Sequence, residues 1–307
     1  MTNKHYYTMN DYLQSTFKTK VFKVSLNGGF TCPNKDGSSG LGGCTFCSPS
    51  GSGDFAGDID ESIYDQFHTI KKRMHEKWPN AKYIAYFQAN TNTYGPVQTL
   101  KSLYDEALHA DKDVVGLSIA TRADALDEDV IDLLEDYHKK TYLQVELGLQ
   151  SIHEATAKKI NRGHDLNQFD DAVKRLRKRG MNVVVHIING FPWENKADMI
   201  QTINHLNTLD IQGVKIHMLH ITKHTALAYE HQQNPFELID LETYVDIVIE
   251  QIRRLKKDVV IQRVTGDASK DDLIIPQWTL KKFVVMNEID KRMRHEKLYQ
   301  GDLYASK

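Results

Sequence analysis

The sequence predicts an α/β fold, a partial or full (β/α) TIM-like barrel of about six parallel strands with a C-terminal helical extension. Three observations carry this expectation. Short apolar runs rich in β-branched residues recur along the 307 residues, and helix-length amphipathic segments fall between them, the alternation expected of a parallel sheet. No Pro/Ser linker, low-complexity tract or internal repeat interrupts the pattern. Hydrophobic residues at 40% and charged residues at 26% match ordinary globular domains, so the chain can bury a large core.

Strands are predicted over 21–26, 83–87, 114–119, 142–147, 182–188 and 213–218, with a further one at 259–264. Helices are predicted over 61–77, 97–109, 127–138, 166–179, 196–208 and 241–256. Asp165 and Asn195 stand where N-caps belong, and Gly180 follows Lys178 and Arg179 as a helix stop should. Residues 1–235 are expected to form the barrel core. Residues 236–307, less regular, form an extension packed on it as part of a single structural unit.

In parallel barrels the functional groups sit on the loops that follow the strands. The chain has three cysteines, Cys32, Cys44 and Cys47, all in the glycine-rich stretch after the first strand. An odd count argues against a disulfide framework, and clustered thiols suit a reducing compartment. Three thiolates can hold three irons of a 4Fe–4S cluster and leave the fourth open, whereas electron-transfer clusters of this type use four cysteines. Gly37, Gly40, Gly42 and Gly43 let the backbone wrap closely around such a group. The alternative is a structural zinc held by the three cysteines and a histidine such as His5, in a non-enzymatic metal-binding module.

A cysteine triad on the loop after the first barrel strand resembles the radical S-adenosylmethionine (SAM) enzymes. Their usual spacing is C-x3-C-x2-C. Here eleven residues separate Cys32 from Cys44, and the stretch from Gly29-Phe30-Thr31-Cys32-Pro33-Asn34 to Gly43-Cys44-Thr45-Phe46-Cys47 looks like the YtqA/YhcC subgroup. The resemblance implies a 4Fe–4S cluster on Cys32, Cys44 and Cys47 whose open iron is chelated by SAM. One electron then cleaves SAM, and the 5′-deoxyadenosyl radical abstracts hydrogen from a substrate. The cofactors carry the hard chemistry and the protein positions them. A second, auxiliary cluster could not be cysteine-ligated.

Later strand ends supply candidate SAM contacts. Gln88 and Asn90, after the second strand, offer amides to the methionine moiety, unless that loop is only a capped turn. Arg122, after the third strand, suits a carboxylate or an ion pair with Asp124 or Asp127. Strand alternation turns Glu146 and Gly148 to one face, plausibly inward. A buried carboxylate needs a partner, either a ribose hydroxyl or an internal ion pair with Arg122. Arg162, in Asn161-Arg162-Gly163-His164, is a candidate for the SAM carboxylate, and Gly190 for the adenine. Lys215, His217 and Leu219 share a parity, pointing either to substrate contact or to a hydrogen-bonded polar cluster, and His186 could be a satisfied core residue.

Net charge is −2, so no global positive field recruits nucleic acid. Basic runs at 174–179 and 253–257 read as helix C-termini stabilised by the macrodipole. The run at 291–295, with Trp278 and Tyr299 nearby, is the best patch for RNA. Relatives in the subgroup are linked to tRNA wobble-uridine modification, which implies action on the carboxymethylaminomethyl side chain beside its nitrogen. A small-molecule or porphyrin-like substrate is the competing expectation. A flavodoxin or ferredoxin is the expected electron donor. No apolar run reaches membrane-spanning length and the N-terminus has no signal-peptide core, so a cytoplasmic location without membrane contact is expected.

Overall fold

Seven strands form one continuous parallel sheet in the computed structural model, which describes residues 4–51 and 53–305. Strands β1 (Val21–Leu26), β2 (Lys82–Phe87), β3 (Val114–Thr121), β4 (Tyr142–Gln150), β5 (Asn182–Asn189) and β6 (Gly213–Met218) lie side by side in chain order. A short β7 (Ile221–Thr222) leaves this sheet, and β8 (Val260–Arg263) returns to it beside β6. β7 pairs antiparallel with β9 (Leu273–Ile275). β2 is apolar nearly throughout, and β2 and β4 are both buried on two faces, as strands covered by crossover helices must be, although β4 carries Gln144 and Glu146 inward.

The helices are α1 (Met9–Phe17), α2 (Ile63–His75), α3 (Val97–His109), α4 (Glu128–His138), α5 (Glu154–Lys159), α6 (Leu166–Lys178), α7 (Lys196–Leu206), α8 (Ala226–Gln233), α9 (Leu241–Arg254) and α10 (Lys282–His295). Asp165 and Asn195 each close a capping box, with Gln168 and Asp198, satisfying orphan N–H groups at both ends of the exchange. Gly180, at φ +80°, ends α6 in the left-handed conformation that glycine tolerates.

The sheet curls into a half-barrel in which β1 and β8 do not pair. The N-terminal segment, assigned no element from sequence, covers this gap. Thr8 forms a parallel bridge with Ile261, whose N–H donates to the Tyr7 carbonyl at 2.8 Å, and α1 packs on both edge strands. Met9, Tyr12, Leu13 and Phe17 of this segment cluster with Val21, Ile84, Val115 and Tyr142, near the starts of the first four strands. The helix therefore plugs the bottom of the barrel. The extension at 236–307 is not set apart from the core, since it supplies β8 to the main sheet and α9 and α10 to its cover.

One polar pair ties α9 to the sheet. Gln251 and Asn189, both buried, exchange carboxamide hydrogen bonds at 2.8 and 2.9 Å, and Gln251 also donates to the Met199 carbonyl at 3.1 Å. An unpaired buried amide costs about 1–3 kcal/mol. Gln251→Leu, which strands Asn189, should therefore lower unfolding free energy by about 2 kcal/mol in urea titrations, whereas the double change with Asn189→Leu should recover part of the loss.

Candidate active site

The cysteine loop is a closed excursion rather than an open strand. Gly43 donates to the Asn34 carbonyl at 2.7 Å, Ser39 and Gly40 donate to that of Pro33, and Asp36 pairs with Leu41 in an antiparallel bridge. The chain thus departs after Cys32, turns through a small hairpin and returns at Gly43, one residue before Cys44. The eleven intervening residues are pinched off at their base. Gly40 is required there, because a Cβ would stand 2.1 Å from Asn34 Oδ1.

A second element clamps this loop from behind. Asn161, held at φ +52°, donates its side-chain amide to the Leu41 and Gly43 carbonyls at 2.9 and 2.8 Å. Asn34, fully buried, donates to the Asn161 carbonyl at 2.5 Å and lies 3.6 Å from Cys44 Sγ. Thr45 donates to the Ile160 carbonyl and accepts from Leu227, which fixes the segment between the last two cysteines. Burial and the neighbouring Cys47 push the Cys44 thiol up to about 12, so Cys44 becomes a ligand only by exchanging its proton for a metal.

The three thiols form no disulfide and line one cavity of about 700 Å³ on the inner side of the half-barrel. His5 does not join them. Its Nδ1 pairs with the Leu298 carbonyl at 2.8 Å and its ring stacks on Tyr299, which removes the expected fourth zinc ligand. Three thiols without a fourth protein ligand beside them among the described residues, on a loop rich in backbone N–H groups, fit a cluster with one iron left open.

Below the thiols, the inward positions of the strands form a hydrogen-bonded layer centred on Glu146, whose side chain is fully buried. Its Oε1 accepts from Lys23 Nζ (2.6 Å), Ser118 Oγ (2.5 Å) and Gln144 Nε2 (2.8 Å). Its Oε2 pairs with His186 Nε2 at 2.7 Å and with Lys215 Nζ. Burial alone would raise the Glu146 pKa, but Lys215, Lys23 and His186 together hold it well below the usual carboxylate range. One carboxylate cannot neutralise two ammoniums, and burial brings Lys215 down to about 7. Lys23 also reaches Gln262 Oε1 on β8 at 3.2 Å, so side chains link the two edge strands that the backbone leaves apart.

Gln88, Asn90, Arg122 and Glu146 line the cavity together with the three cysteines. Asn90 Oδ1 accepts from Lys35 at 3.0 Å, whereas the neighbouring Asn92 and Thr93 are buried in bonds to the third-strand loop. Arg122 forms a bidentate pair with Asp124 (2.9 and 2.8 Å) and donates to the Arg162 carbonyl at 2.7 Å. The expected Arg122–Glu146 ion pair is therefore corrected: Glu146 is neutralised by Lys23 and Lys215. Arg162 and Gly190 do not line the cavity. Arg162, 1% exposed, donates to the carbonyls of Leu149, Ser151 and His164 and so fixes the clamp to the end of β4. Gly190 packs against Ile239 and Leu219.

Sequence reasoning passed over Lys23, Ser118, Gln144 and Gln262, and also Tyr86, whose hydroxyl accepts from Lys215 at 3.2 Å. The usable signal was a lysine within the apolar run Val21-Phe22-Lys23-Val24, at the same parity as Ser25. In the run at 291–295, Arg292 pairs with Glu242, Asp246 and Glu288, whereas Lys291, Arg294 and His295 are exposed; Trp278 packs on Tyr244. Arg175, Arg177 and Arg179 are likewise paired with carboxylates.

A parallel half-barrel carrying a three-cysteine loop at the end of its first strand defines a class: enzymes that hold an iron–sulfur cluster with an open coordination position in the barrel mouth. The chain belongs to the radical SAM superfamily, whose profile matches residues 32–206, with the Radical SAM C-terminal domain matching residues 211–295. It is 46% identical over 303 residues to YtqA of Bacillus subtilis (strain 168), covering 99% of this chain and 94% of that protein. It is 28% identical over 199 residues to tRNA-2-methylthio-N(6)-dimethylallyladenosine synthase of Clostridium botulinum (strain Okra / Type B1), covering 62% of this chain and 43% of the synthase. The fold is shared with Methanocaldococcus infernus Elp3 lacking its N-terminus, at TM-score 0.70 and 17% identity, covering 92% of this chain and 64% of that one. The cofactors are a 4Fe–4S cluster and SAM. No helix among the described residues is long and apolar enough to cross a membrane.

Two outcomes follow from the site. Asn161→Ala removes both clamp bonds to the cysteine hairpin while sparing the core. The variant should lose iron to EDTA at least several-fold faster than the parent, with unchanged far-UV circular dichroism. The second concerns acid stability. Burial, reinforced by neighbouring cations, lowers His164 and His186 to about 4, and burial does the same for His220. A base whose folded pKa is depressed stabilises the fold above its unfolded value and loses that contribution as pH falls. The loss should run from about pH 6.5 down to 4 and amount to about 3 kcal/mol for each imidazole. Urea midpoints should fall over this window, and His164→Asn, away from the cavity lining, should flatten the slope.

Proposed function

We propose that this protein is a radical SAM enzyme that modifies tRNA at the wobble uridine, acting on the carboxymethylaminomethyl side chain at the carbon beside its nitrogen. The observation that carries the enzymatic part is the placement of Cys32, Cys44 and Cys47 on a cavity whose wall is a preorganised set of polar groups. Such groups stabilise reacting species without reorganising. When bound, the cluster supplies one electron to cleave SAM, and the adenosyl fragment takes a hydrogen from the substrate. Cys32, Cys44 and Cys47 would hold the cluster. Gln88 and Asn90 would offer amide donors and acceptors to SAM, while Arg122, fixed by Asp124, would turn a cation to its carboxylate. The two Glu146 oxygens are already engaged by Lys23, Ser118, Gln144, His186 and Lys215, so its part is to hold Lys215 and His186 in place rather than to bind a ribose. Arg162 and Gly190 act from outside the lining, one by anchoring the clamp and the other by admitting close packing of Ile239.

The tRNA substrate is supported by the partial likeness to a synthase whose name places it on tRNA and by the resemblance of the cysteine stretch to the YtqA/YhcC subgroup. Anaerobically reconstituted protein should be brown, hold about four irons, and release 5′-deoxyadenosine from SAM when reduced by dithionite or by flavodoxin or ferredoxin. Cys44→Ala should abolish that release. Incubated with tRNA carrying 5-carboxymethylaminomethyluridine, the enzyme should deplete this nucleoside in mass-spectrometric digests. SAM cleavage with an unaltered nucleoside would remove the substrate while keeping the enzyme class, and a colourless zinc protein would remove both.

A further inference from the structure

The lower wall of the cavity, formed by β6, β8 and the start of α10, carries more positive charge than it can neutralise. Lys215, Arg263 and Lys282 line it, joined by Lys23 and Glu146 from β1 and β4; Glu146 and Asp267 are the carboxylates that meet these cations, while a third lining carboxylate, Asp54, accepts from Ser48 and Ser50. Glu146 serves both Lys23 and Lys215. Asp267 serves both Arg263 (2.6 Å) and Lys282 (2.8 Å). Two imidazoles stand among these cations, and among the described residues the Nε2 atoms of His217 and His220 are buried without a hydrogen-bond partner. Burial and the surrounding cations keep His217 neutral, so in its Nε2–H form it has a donor to offer. Unpartnered buried polar atoms are rare and need a reason.

We propose that this wall is a carboxylate seat, in which Lys215, Arg263 and His217 receive an anionic carboxylate of the substrate. The assignment rests on the cavity being the radical SAM active site and adds to it the chemical class of the group held opposite the cluster loop. A carboxylate fits because Arg263 shares Asp267 with Lys282 and so keeps charge for a monoanion, because an arriving anion would favour the protonated form of Lys215, and because a guanidinium presents a fork matched to two carboxylate oxygens. It is also the group that the carboxymethylaminomethyl side chain would bring.

The test uses cluster-loaded full-length protein in two arms. In the first, the ring signals of ¹³C-labelled histidines are followed by NMR during titration with sodium acetate, acetamide or inorganic phosphate at constant ionic strength. Acetate should saturably shift His217 and His220, and acetamide should not. Arg263→Gln should weaken acetate at least fivefold, and Arg263→Lys should restore part of it. Asp267→Asn, which frees both of its cations, should tighten acetate several-fold, an effect that a purely structural role for these residues would not produce. Equal shifts by acetamide, a response to phosphate alone, or no change in Asp267→Asn would overturn the seat. In the second arm, fluorescence measures binding of an anticodon stem–loop carrying 5-carboxymethylaminomethyluridine, its methyl ester, or unmodified uridine. The acid should bind at least tenfold tighter than the ester. Equal binding of acid and ester, both tighter than uridine, would overturn the seat and leave the wobble-uridine reading standing. Equal binding of all three, with the acetate result intact, would overturn the uridine reading and leave the seat.

Discussion

The buried carboxylate of Glu146 sets the terms for the interior of this barrel. An ionised carboxyl without partners would cost several kcal/mol in such surroundings, and here it is met by groups from β1, β3, β5 and β6 as well as its own strand. Each partner reaches it only if the strands keep their observed register, because a shift of one residue would turn Lys23 or Lys215 to the outer face. The charge therefore enforces alignment across five strands at once. It also explains why there is a cavity at all. Barrels of this class ordinarily fill their centre with layers of branched apolar side chains, whereas Lys23, Ser118, Gln144 and Gln262 hold one another at fixed hydrogen-bonding distances and cannot collapse. With α1 plugging the bottom, the space above that layer stays open toward the cysteines.

The cysteine loop solves a different problem, how a long insertion can present ligands as a short one does. Its answer is local closure. Once Gly43 is bonded to Asn34, the hairpin outside that bond no longer affects the separation of Cys32 from Cys44. Loop closure grows only slowly more costly with length, so the insertion is cheap provided its base is secured. Asn34, Asn161 and the buried guanidinium of Arg162 secure it, passing the position of the thiols back to the end of β4. Arg162 thereby acts on the site from a place where it touches none of the cavity.

Most of the architecture was legible because it rests on periodicity. The seven strands, six long helices and the caps at Asp165, Asn195 and Gly180 follow from alternation and from cap chemistry, both of which are local. What escaped depends on partners distant in sequence. α1 has no strong signal, since its apolar face acquires meaning only against the strand starts it covers. Of the two ion pairs open to Arg122, the one with Asp124 forms and the one with Glu146 does not, because Arg122 lies one residue beyond β3, where strand parity ends, and Asp124 captures it within the same turn. Lys23 was hidden in an apolar strand, and only the register linking β1 to β2 and onward to β4 brings it to Glu146. The basic helix ends read correctly as local features, but their neutralisation by acidic residues on neighbouring helices could not be read from any one segment.

That neutralisation bears on how a chain of net charge −2 can recognise a charged partner. On the outer surface Arg175, Arg179 and Arg292 face carboxylates from adjacent helices, so little long-range field remains and salt screens what there is. Inside, the balance reverses: cations outnumber carboxylates on the lower wall, and the low dielectric makes each uncompensated charge count for more than it would outside. Recognition built this way gives weak steering from a distance and strong discrimination at contact. Such a division suits an enzyme whose reactive chemistry must wait until the correct group has displaced water from the cavity, and under the proposed reading the selectivity would sit in β6 and β8 rather than in the cysteine loop.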